Sequence, residues 1–188
     1  MGAGWTVLVP IKPVGERKSR LADVLEGAAR EALAERMLRH VLATIIAAGA
    51  RPRLVSAEKP AWWDGDWSDD RQAPLNIALG AARDVLGSAP VAVVHGDLPA
   101  LCREDLELLF AAADRDGVAL APDRHRIGTN AIALADDRPF AFAFGPDSFA
   151  RHHRQDYAIV TRPGLGLDID LPEDLEYAHA LDAPALRA

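Results

Sequence analysis

The sequence has one cysteine, Cys102, so it can form neither an intrachain disulfide nor a cysteine-rich zinc site. No apolar run is long enough to span a bilayer, and the N-terminus lacks the basic and apolar regions of a signal peptide. The formal net charge of -7 argues against a nucleic-acid-binding surface, because such surfaces are basic. These absences predict a cytoplasmic protein that binds no nucleic acid and no membrane, and they leave small anionic ligands open.

Lysine is also scarce, and its placement is informative. Two of the three lysines, Lys12 and Lys18, lie with Arg17 and Arg20 in the loop after the first predicted strand. A compact ammonium suits a triphosphate as a point charge, and the N-terminus of a following helix adds backbone donors. A solvated basic loop is the alternative interpretation. The loop lacks the glycine pattern of a Walker motif, which argues against a P-loop NTPase.

The length of 188 residues and the 49% hydrophobic content fit one globular domain over residues 1–188. Apolar runs predict strands at residues 5–9, 53–57, 91–94, 119–122, 131–134 and 158–160. Helical periodicity predicts helices at residues 19–48 (broken near 25–28), 74–86, 103–113, 147–153 and 173–181. Alternating strands and helices predict an α/β fold with a mainly parallel sheet covered by helices on both faces.

Residues 58–71 have no regular period and carry Trp62, Trp63 and Trp67 among aspartates. We predict a loop that these tryptophans pack against the body of the protein, with a short strand as an added possibility. Two alternatives remain open: the tryptophans cover a ligand, or the loop forms part of a homodimer interface.

Carboxylates end two short apolar stretches, and each stretch stops at a proline. Asp97 follows the strand at 91–94, and Asp168 and Asp170 lie within residues 166–172. On an extended backbone Asp168 and Asp170 face the same side. Carboxylates that converge at a sheet edge suit Mg²⁺, which also binds phosphate oxygens. In the alternative interpretation, Asp97 is a turn residue and Asp170 caps the last helix.

Two later segments are suited to a second anion. Residues 122–130 place cationic, hydroxyl and amide donors around a glycine, and residues 144–149 place a glycine and a serine at a helix start. Turn and cap chemistry explains either segment equally well. His95, His152 and His153 lack the spacing of a metal site and receive no role.

In order along the chain, these segments resemble the 2-phospho-L-lactate guanylyltransferase family of coenzyme F-420 biosynthesis, which includes phosphoenolpyruvate guanylyltransferases. The resemblance covers nearly the whole chain. It rests on Val9-Pro10-Ile11-Lys12, Lys18-Ser19-Arg20-Leu21, Gly96-Asp97-Leu98-Pro99, Gly128-Thr129-Asn130, Phe144-Gly145 with Ser148-Phe149, and Asp168-Ile169-Asp170.

The resemblance implies a single-domain, three-layer nucleotidyltransferase fold, Rossmann-like and related to the glycosyltransferase-A and sugar-nucleotide transferases. It also implies a Mg²⁺-dependent reaction in which a phosphorylated three-carbon acid attacks the α-phosphorus of GTP and pyrophosphate leaves. The acid would be 2-phospho-L-lactate, phosphoenolpyruvate or 3-phosphoglycerate. A nucleotidyltransferase acting on another small molecule, such as a sugar phosphate, and a non-catalytic nucleotide-binding module are the alternatives.

The resemblance also implies roles for individual residues. Asp97, Asp168 and Asp170 would hold Mg²⁺, while Lys12, Lys18 and Arg20 would neutralise the triphosphate. Lys12, Lys18 and Asp97 would be the catalytic groups, Asn76 would lie near the guanine, and Thr129, Gly145 and Ser148 would hold the phospho-acid.

Overall fold

A seven-stranded sheet forms the centre of the structure, a computed structural model that describes residues 4–15, 18–153 and 157–187. The strands are β1 (Thr6–Pro10), β2 (Arg51–Ser56), β3 (Asp66–Asp69), β4 (Val91–Val94), β5 (Val118–Pro122), β6 (Thr129–Leu134) and β7 (Ala158–Ile159). Their order across the sheet is β3-β2-β1-β4-β6-β5-β7. Strand β6 runs antiparallel to β4 and β5, and the other pairings are parallel. The mainly parallel sheet predicted from the sequence is confirmed.

The helices are α1 (Gly27–Ala47), α2 (Leu75–Leu86), α3 (Arg103–Asp116), α4 (Ser148–His152), α5 (Pro163–Gly166) and α6 (Pro172–Ala180). Short 3-10 turns lie at Ser19–Leu21 and Pro184–Leu186, so the helix predicted over 19–48 is interrupted near the expected point. Helix α5 and the turn at 184–186 have no counterpart among the predicted helices, since a single helical turn carries no periodic pattern. Among the described residues, no helix is both long and apolar enough to cross a bilayer.

Alternate residues of the central strands face two different cores. In β1, Val7 and Val9 pack in the core that α1 and α3 cover, while Leu8 packs in the core that α2 covers. Side chains alternate across a strand, so a buried strand needs a helix layer on each side. The predicted three-layer α/β architecture is therefore confirmed.

A third, smaller core supports the acidic and basic segments of the site. It contains Leu21 from the 3-10 turn, Leu33 and Met37 from α1, and Leu167 and Ile169. Leu21 and Ile169 are completely buried. Their burial fixes the backbone of the polar residues beside them in sequence.

The tryptophan-rich segment packs against the protein, as predicted. Trp62, Trp63 and Trp67 contact the core that α1 covers, and the guanidinium of Arg39 lies 3.9 Å from the centre of a Trp62 ring. The indole of Trp67 donates a hydrogen bond to the Ser56 hydroxyl at 3.1 Å. The short strand β3 lies within this segment and forms one edge of the sheet.

Candidate active site

A cleft of about 330 Å³ opens where β1, β3 and β4 end. In a sheet of this type, ligands bind in the crevice beyond the carboxyl ends of the parallel strands. The residues that line this cleft are Pro10, Ile11, Lys12, Lys18, Ala34, Leu38, Val55, Asp70, Ala73, Leu75, Ala78, His95, Gly96, Asp97 and Asp170. Four predicted site residues, Lys12, Lys18, Asp97 and Asp170, are thus brought to one cleft.

Lys18 links the two acidic segments. Its ammonium is nearly buried, donates a hydrogen bond to Asp97, and lies 3.4 Å from Asp170 Oδ1. Although burial opposes its charge, Asp97 and Asp170 raise the pKa of Lys18. Burial also opposes the charge of Asp97, but the Lys18 ammonium holds the pKa of that carboxyl below its usual value. Lys18, which the sequence predicts to bind the triphosphate, therefore pairs here with Asp97 and Asp170, which it predicts to bind the metal.

Arg20 reaches the same carboxylate from outside. Its guanidinium lies 3.1 Å from Asp170 Oδ2 and is largely exposed. Arg17, which belongs to the same basic loop, lies outside the described residues.

Asp168 and Asp170 belong to an irregular segment and not to a strand of the sheet. The backbone N–H of Ile169 donates to the carbonyl of Asp97 at 3.3 Å, which ties this segment to the Asp97 turn. The carboxylate of Asp168 accepts a hydrogen bond of 3.1 Å from the Asn130 amide. Burial, reinforced by the charges of Asp97 and Asp170, raises the pKa of Asp168 to about 7.

Asp170 does not cap the last helix, contrary to the alternative interpretation. Asp174, in the first turn of α6, does so: its Oδ2 accepts from the backbone N–H groups of Asp170 and Leu171 at 3.0 and 2.7 Å. Its other oxygen pairs with Arg124. The side chain of Asp170 is thus left for Lys18 and Arg20, while its backbone is held from behind.

The donor set fits a divalent cation only in part. Among the described residues, no three histidine, cysteine or acidic side chains are arranged to hold a metal ion. However, Asp97 Oδ1 is buried without a hydrogen-bond partner in the described part of the chain, and a cation would satisfy such an atom. Oxygen ligands are the chemistry that Mg²⁺ requires. In the structure, the ammonium of Lys18 provides the positive charge at this place.

The three residues predicted to hold the phospho-acid form a separate cluster that does not line the described cleft. The N–H of Thr129 donates to Ser148 Oγ at 2.9 Å, and the N–H of Ser148 donates to the Gly145 carbonyl at 3.1 Å. Gly145 has φ of 118°, a conformation that favours glycine. Thr129 and Ser148 are each 2% exposed.

His152 determines how the Thr129 hydroxyl is used. Its Nε2 accepts the N–H of Ala143 at 2.8 Å, so the neutral ring carries its proton on Nδ1, 3.0 Å from Thr129 Oγ1. Burial lowers the pKa of His152 to about 4, which keeps the ring neutral. The Thr129 hydroxyl therefore accepts from His152 and keeps its own hydrogen for another acceptor.

Asn76 hydrogen-bonds the protein backbone. Its Nδ2 donates to the Phe144 carbonyl at 3.1 Å, and its Oδ1 accepts the Phe144 N–H at 2.8 Å. These two bonds join the start of α2 to the segment that leads to Gly145. Asn76 is not one of the residues that line the described cleft.

His95 connects the two clusters. It lines the cleft, and its ring centre lies 5.1 Å from that of Phe144. Its backbone N–H donates to the Asn130 carbonyl at 3.0 Å. Burial lowers the pKa of its ring. His95 and Asn130 thus lie between the cleft and the cluster of Thr129, Gly145 and Ser148.

Three site residues received no role from the sequence: Asp70 and His95 in the cleft, and Asp174 behind Asp170. Arg124 and Asn130 were predicted only as donors of the 122–130 segment, not as partners of Asp174 and Asp168. An acid three residues into a helix is a capping signal, so Asp174 could have been found. Asp70 could not, because it follows a four-residue edge strand that carries no pattern.

Comparisons with known proteins identify the family to which the chain belongs. A family model described as "Guanylyl transferase CofC like" matches residues 5–177. The phosphoenolpyruvate guanylyltransferase of Chloroflexus aurantiacus is 37% identical, over 90% of this chain and 92% of its own. The enzyme of that name from Streptomyces coelicolor is 34% identical, over 94% of this chain and 91% of its own.

Solved structures with low sequence identity share the fold. A nucleotidyl transferase from Methanothermobacter superposes with a TM-score of 0.61 at 16% identity, covering 96% of this chain and 99% of its own. The 2-C-methyl-D-erythritol 4-phosphate cytidylyltransferase of Thermus thermophilus gives 0.54 at 18% identity, covering 96% and 98%. The match over residues 5–177, the identities to curated relatives and the nucleotidyltransferase fold show that this chain is a nucleotidyltransferase of the guanylyl transferase CofC-like family.

Proposed function

We propose that this enzyme transfers GMP from GTP to phosphoenolpyruvate and releases pyrophosphate, a step in coenzyme F-420 biosynthesis. One observation carries the proposal: Lys12, Lys18, Asp97 and Asp170 meet in one cleft at the ends of the parallel strands. The curated relatives named for phosphoenolpyruvate favour that acid over 2-phospho-L-lactate and 3-phosphoglycerate, and they do not favour a sugar phosphate.

In the proposed reaction, a phosphate oxygen of phosphoenolpyruvate attacks the α-phosphorus of GTP. The bond from the α-phosphorus to the bridging oxygen breaks, and that oxygen leaves with pyrophosphate. The nucleophile is already an anion, so no strong general base is needed. Catalysis therefore depends on in-line positioning and on neutralising the charge that develops on the phosphates.

The cations of the cleft have distinct parts in this proposal. Lys12 and Lys18 line the cleft and would bind the triphosphate, and Arg20 would neutralise it from the solvent side. Lys18 can do so only by exchanging its carboxylate partners for phosphate oxygens. Asp97, Asp168 and Asp170 would then hold Mg²⁺, which supplies Lewis-acid stabilisation of phosphate oxygens when bound.

The acceptor would bind at the second cluster. Thr129 and Ser148 each accept one hydrogen bond within the cluster and keep a hydroxyl hydrogen to donate. Gly145 would place its backbone close to the acid because it has no side chain. Asn76 would act here by holding Phe144, the residue before Gly145.

Pyrophosphate release tests the proposal. The purified protein is incubated with GTP, Mg²⁺ and, in separate reactions, phosphoenolpyruvate, 2-phospho-L-lactate, 3-phosphoglycerate and glucose 1-phosphate. We expect the largest kcat/KM with phosphoenolpyruvate, and a value lower by roughly 100-fold or more in the Asp97→Asn variant. Release with glucose 1-phosphate at an equal rate, or none with any of the three acids, would contradict the proposal.

A further inference from the structure

One acidic side chain lies apart from the other charged groups of the cleft. Among the described lining residues, Lys12, Lys18, His95, Asp97 and Asp170 gather around the ends of β1 and β4. Asp70 follows the end of β3, at the opposite side of the cleft. Three strand spacings separate β3 from β4, and at about 4.8 Å each they amount to roughly 14 Å. A nucleotide bound with its α-phosphate near Asp97 therefore has its base on the Asp70 side.

The surface between these two ends is apolar. Ile11 follows β1, Val55 lies in β2, and Ala73, Leu75 and Ala78 lie at or near the start of α2. Leu75 is 40% exposed, although it lines the cleft. Aliphatic side chains of this kind can cover the faces of a purine and leave its polar edge to be read by a fixed group.

The backbone holds Asp70 in place. Its N–H donates to the Ser56 carbonyl at 3.1 Å, and its carbonyl accepts the Ala73 N–H at 2.9 Å. Its Oδ1 accepts the Gln72 N–H at 2.7 Å. Arg71 and Gln72 both have left-handed backbones, with φ of 53° and 57°, which is strained for residues other than glycine. The turn thus keeps the carboxylate at the cleft, and within the described residues its Oδ2 accepts no hydrogen bond and is available to a ligand.

We propose that Asp70 binds the Watson–Crick edge of guanine and gives the enzyme its preference for GTP; this inference rests on the proposed function. Guanine presents two donors there, N1–H and the 2-amino group, and a carboxylate is an acceptor for both. Adenine presents an acceptor at N1, which a carboxylate repels. Asn76 is less suited to recognise the guanine edge, because both polar atoms of its amide already bind the backbone of Phe144.

The test compares nucleotide preference in three proteins: wild type, Asp70→Asn and a matched control, Asp69→Asn. Asp69 makes the same local bond, accepting the Arg71 N–H at 2.8 Å, but it does not line the cleft. The nucleotides are GTP, ATP and XTP, whose xanthine carries a carbonyl oxygen in place of the 2-amino group. Calorimetry measures binding of each nucleotide, and pyrophosphate release gives kcat/KM.

The wild type is expected to prefer GTP to ATP by about 10- to 100-fold, because one bidentate contact discriminates by roughly that factor. Asp70→Asn should reduce GTP binding by about 10- to 100-fold and improve XTP binding, since an amide can donate to the new carbonyl while accepting from N1–H. Asp69→Asn should behave as the wild type does.

The two readouts separate this inference from the proposed function. Preferential GTP binding that is lost in Asp70→Asn supports the inference even if no acid yields pyrophosphate. Equal binding of GTP and ATP by the wild type, or a GTP preference that Asp70→Asn retains, overturns it even if guanylyl transfer proceeds. A loss of preference in Asp69→Asn of the same size would also overturn it, because the turn and not the carboxylate would then be responsible.

Discussion

Replacing Asp174 with alanine should weaken both the fold and the catalytic site. Asp174 is 6% exposed and accepts hydrogen bonds from the backbone N–H groups of Asp170 and Leu171 and from Arg124. The substitution leaves both N–H groups without their acceptor and removes the ionic partner of Arg124. It also frees the backbone of Asp170, whose side chain contacts Lys18 and Arg20.

The expected loss follows from these bonds. A buried N–H left unsatisfied costs about 1–3 kcal/mol, so the summed cost for the two groups lies between roughly 2 and 6 kcal/mol. Leu171 is 40% exposed, so water can reach this helix end and the lower part of that range applies. We expect the free energy of unfolding to fall by about 2–3 kcal/mol in Asp174→Ala. Asp174→Asn keeps an acceptor oxygen and should lose about 1 kcal/mol.

Urea denaturation, monitored by tryptophan fluorescence, measures the free energy of unfolding, and pyrophosphate release measures turnover. Asp174→Ala should also lower kcat/KM by roughly 10-fold, since small displacements of a positioned group are costly. Glu173→Ala is the control, because it removes an acid from the same helical turn at an exposed position and should cost less than about 1 kcal/mol. An Asp174→Ala protein as stable and as active as Glu173→Ala would show that these bonds hold neither the helix end nor Asp170 in place.

Three further predictions use the same two measurements. Asp168→Asn should reduce kcat/KM by roughly 100-fold or more and leave the urea midpoint close to that of the wild type, because its amide oxygen can still accept from Asn130. The unfolded chain protonates His152 near pH 6.5 and the folded protein only near 4, so wild-type stability should decline by up to about 3 kcal/mol as the pH falls through that window. His152→Gln should lack that part of the decline, which is measured as the difference in the free energy of unfolding between the two proteins. Gly164→Ala should lose about 3 kcal/mol or more, since its Cβ would lie 2.0 Å from the buried Asp105 carboxylate, while Gly80→Ala meets no atom within 4 Å and should gain about 0.5–1 kcal/mol.

Local patterns predicted most of the fold. The strands around Val7 and Val93 were predicted because continuous apolar runs bounded by turn residues are typical of buried parallel strands. The periodic apolar face of α1 likewise identified it as a helix. The single turn α5 has no such pattern, and the reversed direction of β6 depends on which strand it pairs with, a property of the whole sheet.

The candidate site was predicted in part. Lys12, Lys18 and Asp97 follow neighbouring strands, so their convergence followed from the topology of a parallel sheet. The partners of each side chain did not follow, because hydrogen bonds between segments far apart in sequence depend on tertiary packing. Asn76 illustrates this limit: its place at the start of α2 was evident, but its bonds to Phe144 were not.

The direction of β6 gives the two halves of the site different stiffness. A parallel strand delivers to the ligand only residues beyond its end, as with Lys12 and Asp97, which lie in loops. The antiparallel β6 delivers its first residues, Thr129 and Asn130, which remain inside the sheet: Thr129 opposite Pro122, and Asn130 bonded to the His95 N–H. If Thr129 holds the phospho-acid as proposed, that half of the site is preformed by the sheet, and adjustment to an incoming nucleotide would fall to the loops that carry Lys12 and Asp97. Amide hydrogen exchange should accordingly be slow at the start of β6 and faster in the described part of the loop that carries Lys12 and Lys18.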